Sequence, residues 1–301
     1  MSTGRSRKGN PPMQVVRGNQ SAAEVGPEHA AQQSRPRVRT IAVVSGKSGV
    51  GKSNLAANLA VALGQRGARV LLVDADFTNS QLDLLLGVHP RHDLSHVVTG
   101  ARPVDEVLVN GPQGVTLVPG PGAGKTVPAL DDFRREVLFR ALGTVGENVD
   151  LMIVDTPAGP DATTLEFCRL ASDVVVVTST EVMSLPDAYA MLKTLQQGNA
   201  LQRSPRLIVN MATTPDEGQE IANRMRVFAR HFMRVEIDTL GSIPEDHAMI
   251  RAERAQEPLV VSQPDSPAAV AIRALAAQLW KPLASGPEFD AKSESSHRLE
   301  A

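Results

Sequence analysis

The densest chemistry in the sequence lies in eight consecutive residues, Gly46-Lys47-Ser48-Gly49-Val50-Gly51-Lys52-Ser53. They satisfy the pattern G-x-x-x-x-G-K-[ST]. Glycines at 46, 49 and 51 let backbone N–H groups turn inward around phosphate oxygens, and a helix opening just after them adds a favourable dipole. Lys52 is then placed to reach the β- and γ-phosphates of a nucleoside triphosphate, and the Ser53 hydroxyl to ligate Mg²⁺. Two acidic stretches accompany the loop: Asp74-Ala75-Asp76 after RVLLV, and Asp155-Thr156-Pro157-Ala158-Gly159 after LMIV. Carboxylates at the ends of buried strands are costly unless they meet a cation or hydrogen-bond donors. Beside a phosphate cradle, a divalent metal is the natural partner. For Asp74, a helix or turn cap is the other reading. Asn210 closes RLIVN with an amide that can both donate and accept, as an adenine edge requires; it equally suits a turn. Gly122-Ala123-Gly124-Lys125-Thr126 imitates the cradle, but its first glycine would fall on Pro119, so this stretch reads as a loop.

These groups need elements to hold them. TIAVVS (40–45), a helical pattern from Lys52 to about Gln65 and RVLLVD (69–74) compose one β-α-β unit. Further strands are expected at 115–119, 151–155, 173–179, 206–210 and near 239–242, with helices between. Continuous apolar strands imply a sheet buried on both faces, and helical crossovers make it parallel. The expected fold is α/β, an open, doubly wound, mostly parallel sheet with helices on both faces and a crevice at the carboxyl ends of the strands. Every motif above falls at such an end.

Composition agrees and narrows the class. With 42% hydrophobic residues but 3% aromatics, the core must come from Ala, Val, Leu and Ile. Residues 1–39 carry seven basic side chains against Glu24 and Glu28, a balance of +5 that leaves −7 for the remainder. They read as a flexible basic arm, residues 40–284 as the folded domain and 285–301 as a disordered polar tail. The single Cys168 excludes an intrachain disulfide and any metal centre built from several cysteines of one chain, which fits a reducing cytoplasm. No apolar run approaches the roughly 20 residues that span a bilayer.

The loop lysine Lys47 resembles the signature lysine of the deviant Walker A motif in the MinD/ParA ATPases. That resemblance implies that Lys47 reaches across an ATP-bridged homodimer to the partner's phosphates; an ordinary exposed loop lysine is the plainer reading. The family's usual next glycine is Ser48 here, so a position demanding positive φ would be strained. Asp155 resembles the Walker B aspartate near Mg²⁺. Asp76 resembles the aspartate that orients or deprotonates the attacking water, with Asp74 supporting the metal shell. The likeness also gives Asn210 a place at adenine and makes Ile243-Pro244-Glu245-Asp246 a base-side loop. The implied activity is slow, partner-stimulated ATP hydrolysis, with Lys47, Lys52 and Asp76 as its catalytic groups.

Cysteine-dependent and tyrosine-rich branches fall away, since Cys168 and Tyr189 stand alone of their kinds. DADFTNSQLDLLLGV (74–88), residues 93–120 and residues 241–279 resemble the MinD-like flagellar-number regulators called FlhG or FleN. That implies flagellar switch-complex proteins, an FlhF-like GTPase or a flagellar transcription regulator as partners. Residues 18–25 match the activator element for such a GTPase poorly. Division-site, pilus or DNA positioning, or an ATP-dependent scaffold or anti-activator with negligible hydrolysis, are the rival roles; an acidic body disfavours nucleic acid. Ala268, Ile272, Leu275, Leu279 and Leu283 lie at helical spacing beside Trp280, for which core packing is preferred to peripheral membrane contact.

Overall fold

The computed structural model describes residue 1 and residues 38–122, 130–146 and 148–280. The basic arm, the tail and most of the 122–126 imitation loop lie outside the described residues. Strands are β1 (Arg39–Ser45), β2 (Val70–Asp74), β3 (Val109–Asn110), β4 (Val115–Val118), β5 (Leu151–Ala158), β6 (Asp173–Ser179), β7 (Arg206–Ala212) and β8 (Asp238–Pro244). Among the described residues they form one sheet in the order β3-β4-β2-β5-β1-β6-β7-β8. All neighbours pair in parallel except β3 on β4, a two-residue antiparallel edge that the apolar pattern did not announce. So short a strand is held by its neighbour rather than by its own composition.

Helices α1 (Lys52–Gly64), α2 (Leu82–Leu86), α3 (Leu94–Val98), α4 (Asp132–Gly146) and α5 (Ala162–Leu170) are followed by α6 (Ser184–Gln197), α7 (Pro215–Phe228), α8 (His247–Ala255), α9 (Leu259–Ser262) and α10 (Pro267–Trp280). Side chains alternate along β1: Ile41 and Val43 meet the face covered by α1 and α8 to α10, while Ala42 and Val44 meet the face of α5 to α7. Toward the β4 edge, Leu71, Val73 and Val154 pack with Leu138 and Leu142 of α4. Both faces are therefore dry, which is why the strands read as unbroken apolar runs. Aromatics contribute little, and Ala56, Ala57, Ala60 and Ala62 let α1 lie close to the sheet.

α10 buries Ala268, Ile272, Leu275 and Leu279 against α1 and β8. The face that could have met a membrane is thus spent on the core; Leu283 lies outside the described residues. Among those described, no helix is long and apolar enough to cross a membrane.

The chain leaves β1 for β2 on one side, across β5, while β6 to β8 extend on the other. β1 sits at the point where the winding reverses, and its carboxyl end opens into the crevice that such a reversal creates.

Candidate functional site

Gly46 to Gly51 connect β1 to α1 in that crevice. Gly49 and Gly51 take φ of 83° and 80°, conformations that a side chain opposes. Ser48 is not among the residues with positive φ, so the serine is accommodated without the strain the sequence raised. Gly46 is required for a different reason: a Cβ there would stand 2.1 Å from the backbone oxygen of Asp187 on α6. At Gly51 a Cβ would meet Asn210 Nδ2 at 2.2 Å. No side chain caps the start of α1, which leaves its first N–H groups directed at whatever anion enters.

Around this cradle the strand ends bring the acidic groups together. Asp74 and Asp155 are register partners across β2 and β5, and Asp155 is also the partner of Val43 on β1. Both carboxylates are buried. Burial, reinforced by the charge of Asp155, pushes Asp74 up to about 7. Burial likewise raises Asp155, against the opposing pull of Lys52 and a hydrogen bond from Ser53. Lys52, itself buried, ion-pairs with Asp155.

Asp74 is fully engaged by its own chain. One oxygen accepts from Ser80 Oγ at 2.8 Å and from the amides of Gln81 and Leu82 at 3.1 and 3.0 Å, while the other accepts from the Asp76 amide at 3.3 Å. It therefore anchors the Asp76 loop to the start of α2, the capping geometry that the sequence held as the alternative to a metal role. Asp76 is held by one oxygen only: Oδ1 accepts from Thr78 N, Thr78 Oγ1 and Asn79 N at 3.0, 2.7 and 2.9 Å. The side chain lines the cavity with its second oxygen unengaged by the hydrogen bonds of the described residues.

Asn210 donates through Nδ2 to the Val50 carbonyl at 2.9 Å, bracing the cradle from β7. Lys47 ion-pairs with Glu181 beyond the end of β6. The cavity in front of the loop measures about 460 Å³ and extends from Lys52 and Asp76 to Pro244, Met249 and Ile250, a size suited to a small organic ligand. Ile243 to Asp246 line it as the sequence suggested, and Asp246 caps α8 through the Ala248 amide at 2.8 Å.

The sequence reading missed Met211, which sits at φ 58° in the wall, and the α8 side chains Met249 and Ile250. It also missed Glu181 and the backbone of Asp187. None carries a spacing signal, because Met211 on β7, Glu181 after β6, Asp187 on α6 and the α8 side chains come from separate elements that only tertiary packing brings to the loop.

The residues fit a magnesium nucleotide. The buried pair of Asp155 and Lys52 stands beside the buried carboxyls of Asp74 and Asp76, an oxygen-rich corner that a divalent cation would suit. Among the described residues no three acidic, His or Cys side chains converge into a metal cage. Magnesium takes one or two protein ligands and completes its octahedron with phosphate and water, and Ser53 and Asp155 line up beside the cradle as such ligands.

Residues 37–280 match the ParA family, described as NUBPL iron-transfer P-loop NTPase. The chain is 35% identical to "Antiactivator FleN" of Pseudomonas aeruginosa, over 83% of this chain and 89% of that protein. It is 31% identical to "Flagellum site-determining protein YlxH" of Helicobacter pylori, over 74% and 76%. Among solved structures, the septum site-determining protein MinD of Pyrococcus horikoshii, complexed with Mg-ADP, superposes with a TM-score of 0.66 at 26% identity, covering 81% of this chain and 96% of that one. The iron chemistry in the family description finds no cysteine cluster here: Cys168 is buried in the core, and burial pushes its thiol up to about 12.

Proposed function

The chain belongs to the ParA family of P-loop NTPases, and from that premise we propose that it is an ATP-hydrolysing switch that dimerises around its nucleotide and regulates the number and placement of bacterial flagella. The observation that carries the enzymatic half is the convergence of an uncapped helix start, two loop lysines and a half-engaged Asp76 on one cavity. The flagellar half rests on the likeness to FleN and YlxH, each matched over three quarters or more of its length. In this reading residues 40–284 are the ATPase domain, with 1–39 and 285–301 as its extensions. In the same reading it works in the cytoplasm.

Ser53 and Asp155 would hold Mg²⁺, with Asp74 behind them fixing the loop, and the bound ion supplies neutralisation of phosphate charge. Lys52 exchanges Asp155 for the β- and γ-phosphate oxygens. Lys47 exchanges Glu181 for the nucleotide of a second copy. Asp76, held by one oxygen, turns the other toward the cavity and orients water for in-line attack on the γ-phosphate. Asn210 keeps the loop in shape from the adenine side. Cleavage removes charge that the lysines had gripped, so the dimer loosens and hydrolysis acts as a timer. Turnover is slow until a partner stimulates it; the partners in this reading are flagellar switch-complex proteins, an FlhF-like GTPase or a flagellar transcription regulator.

Light scattering on the purified chain tests the switch: the mass doubles with a non-cleavable ATP analogue and returns to monomer with ADP. An identical mass in all nucleotide states would refute it. Deletion in the source bacterium, with flagella counted by electron microscopy, tests the role. Unchanged flagella with displaced septa would favour the MinD-like alternative.

A further inference from the structure

Thr78 belongs to none of the motifs read from the sequence, yet it makes the shortest hydrogen bond to Asp76. It stands in the loop that leaves β2 for α2. The residue is exposed, so core packing does not account for a β-branched side chain there. Its hydroxyl donates to Asp76 Oδ1 at 2.7 Å, and among the described residues that is the hydroxyl's one hydrogen bond. The amides of Thr78 and Asn79 reach the same oxygen at 3.0 and 2.9 Å. All three donors therefore fall on Oδ1 and none on Oδ2.

The neighbouring carboxylate shows what such donors decide. Ser80 Oγ joins the Gln81 and Leu82 amides on Asp74 Oδ2, and the Asp76 amide takes Oδ1, so Asp74 has no oxygen left to offer. Thr78 closes only half of Asp76. Asp76 is 7% exposed, and a carboxylate so buried is costly unless donors meet it. Among the described residues the buried polar side-chain atoms without a partner are His92 Nδ1 and Thr164 Oγ1. Asp76 Oδ2 is not one of them; it is open to the cavity that Asp76 lines. A donor arriving from the cavity, such as water, completes the carboxylate.

Where that donor sits depends on the plane of the carboxylate. Rotation about the terminal torsion of an aspartate is soft and roughly two-fold, so the two amides tether Oδ1 but let the group rock. The Thr78 hydroxyl adds a third, short and charge-assisted bond from a side chain whose own rotamers are restricted by β-branching. It fixes the plane, and with it the direction of Oδ2.

We propose that Thr78 is a positioning residue for ATP hydrolysis: its hydroxyl locks Asp76 Oδ1 into the loop and so holds Oδ2 where it orients the attacking water. Thr78 acts through Asp76 and not on the reacting atoms. This rests on the hydrolytic reading given above and adds to it the side chain that aims the group.

The test compares Thr78→Val, which removes the hydroxyl at nearly constant shape and keeps the amide bond to Asp76, with Thr78→Ser, which keeps the hydroxyl. Phosphate release by the full-length protein over a range of Mg-ATP concentrations gives kcat and KM. Thr78→Val should lower kcat about 10-fold with KM within about 2-fold of wild type, because a misaimed Oδ2 is felt in the transition state and not in nucleotide binding. Thr78→Ser should bring kcat back to within about 3-fold of wild type. In an Asp76→Ala background Thr78→Val should slow release no further, since the two side chains act as one unit. Both Thr78 variants should melt within about 2 °C of wild type, as expected at an exposed position. The proposal is overturned if Thr78→Val keeps the wild-type kcat, if it raises KM alone, if Thr78→Ser is as slow as Thr78→Val, or if Thr78→Val slows Asp76→Ala by the factor it slows wild type. A wild-type protein that binds Mg-ATP and releases no phosphate would remove the hydrolytic reading, and this inference with it; normal wild-type turnover with an unaffected Thr78→Val would remove this inference alone.

Discussion

Replacing Gly46 with Ala probes why the phosphate cradle begins with glycine. Unlike Gly49 and Gly51, Gly46 does not take a positive φ; the added methyl meets instead the Asp187 carbonyl oxygen and carbon at 2.1 and 2.2 Å and the Ala188 nitrogen at 2.8 Å. These are backbone atoms of α6, so no rotamer change relieves the clash, and the helix and loop must part by about 1 Å in an interior packed like a crystal. Overpacking of this kind costs about 3 kcal/mol. For a domain of roughly 240 residues that corresponds to a fall of about 6–12 °C in Tm. Gly49→Ala is the control: its φ of 83° opposes a side chain, but nothing lies within 4 Å of the new Cβ. It should cost about 1 kcal/mol and so about 2–4 °C. Thermal unfolding of both variants without nucleotide, followed by circular dichroism, measures the difference directly. Because Gly46 opens the phosphate loop, parting the loop from α6 should also weaken nucleotide binding beyond its effect on stability. If Gly49→Ala proved as damaging as Gly46→Ala, left-handed backbone rather than contact with α6 would govern the loop, and the packing argument would fail.

Lys47→Ala should leave Tm within about 2 °C of wild type, because its pair with Glu181 is largely exposed and worth at most about 1 kcal/mol; the analogue-induced doubling of mass in light scattering should nonetheless disappear. Asp76→Ala should keep nucleotide binding by calorimetry while phosphate release falls about 100-fold or more, the usual contribution of a positioned acid–base group; a normal rate would remove Asp76 from the chemistry. The pH dependence follows from Asp74, whose carboxyl is raised from its ordinary 3.8 to about 7. The native state therefore binds the extra proton between those values. This contribution to stability is complete below about pH 4 and is lost as pH rises through about 7, an effect on the order of a few kcal/mol. Urea unfolding without nucleotide should show that loss between about pH 5 and pH 8 against Asp74→Asn, which lacks the titration; parallel profiles for the two proteins would refute it.

Local rules made the chemistry legible because the cradle is local. Phosphate oxygens need consecutive N–H groups, a helix start and a lysine, and these fall within eight residues, so Gly46 to Ser53 could be read from the chain. The unbroken apolar runs around Ile41, Leu72, Ile153, Val176 and Ile208 likewise announced a sheet covered on both faces, since no other environment tolerates them. The same periodicity placed Ile272, Leu275 and Leu279 on one face of a helix, and the core received that face.

What the sequence could not state is which groups are already spoken for. Asp74 and Asp76 are identical in type and two residues apart, yet one has both oxygens bound by its own loop and the other only one. Asn210 was read as facing a ligand or forming a turn; it lines the cavity and also donates one N–H to the Val50 carbonyl of the cradle. Lys47 and Lys52 have carboxylate partners that lie more than a hundred residues away. Hydrogen-bond occupancy depends on distances between strands and helices remote in sequence, and only the closed tertiary packing fixes those distances.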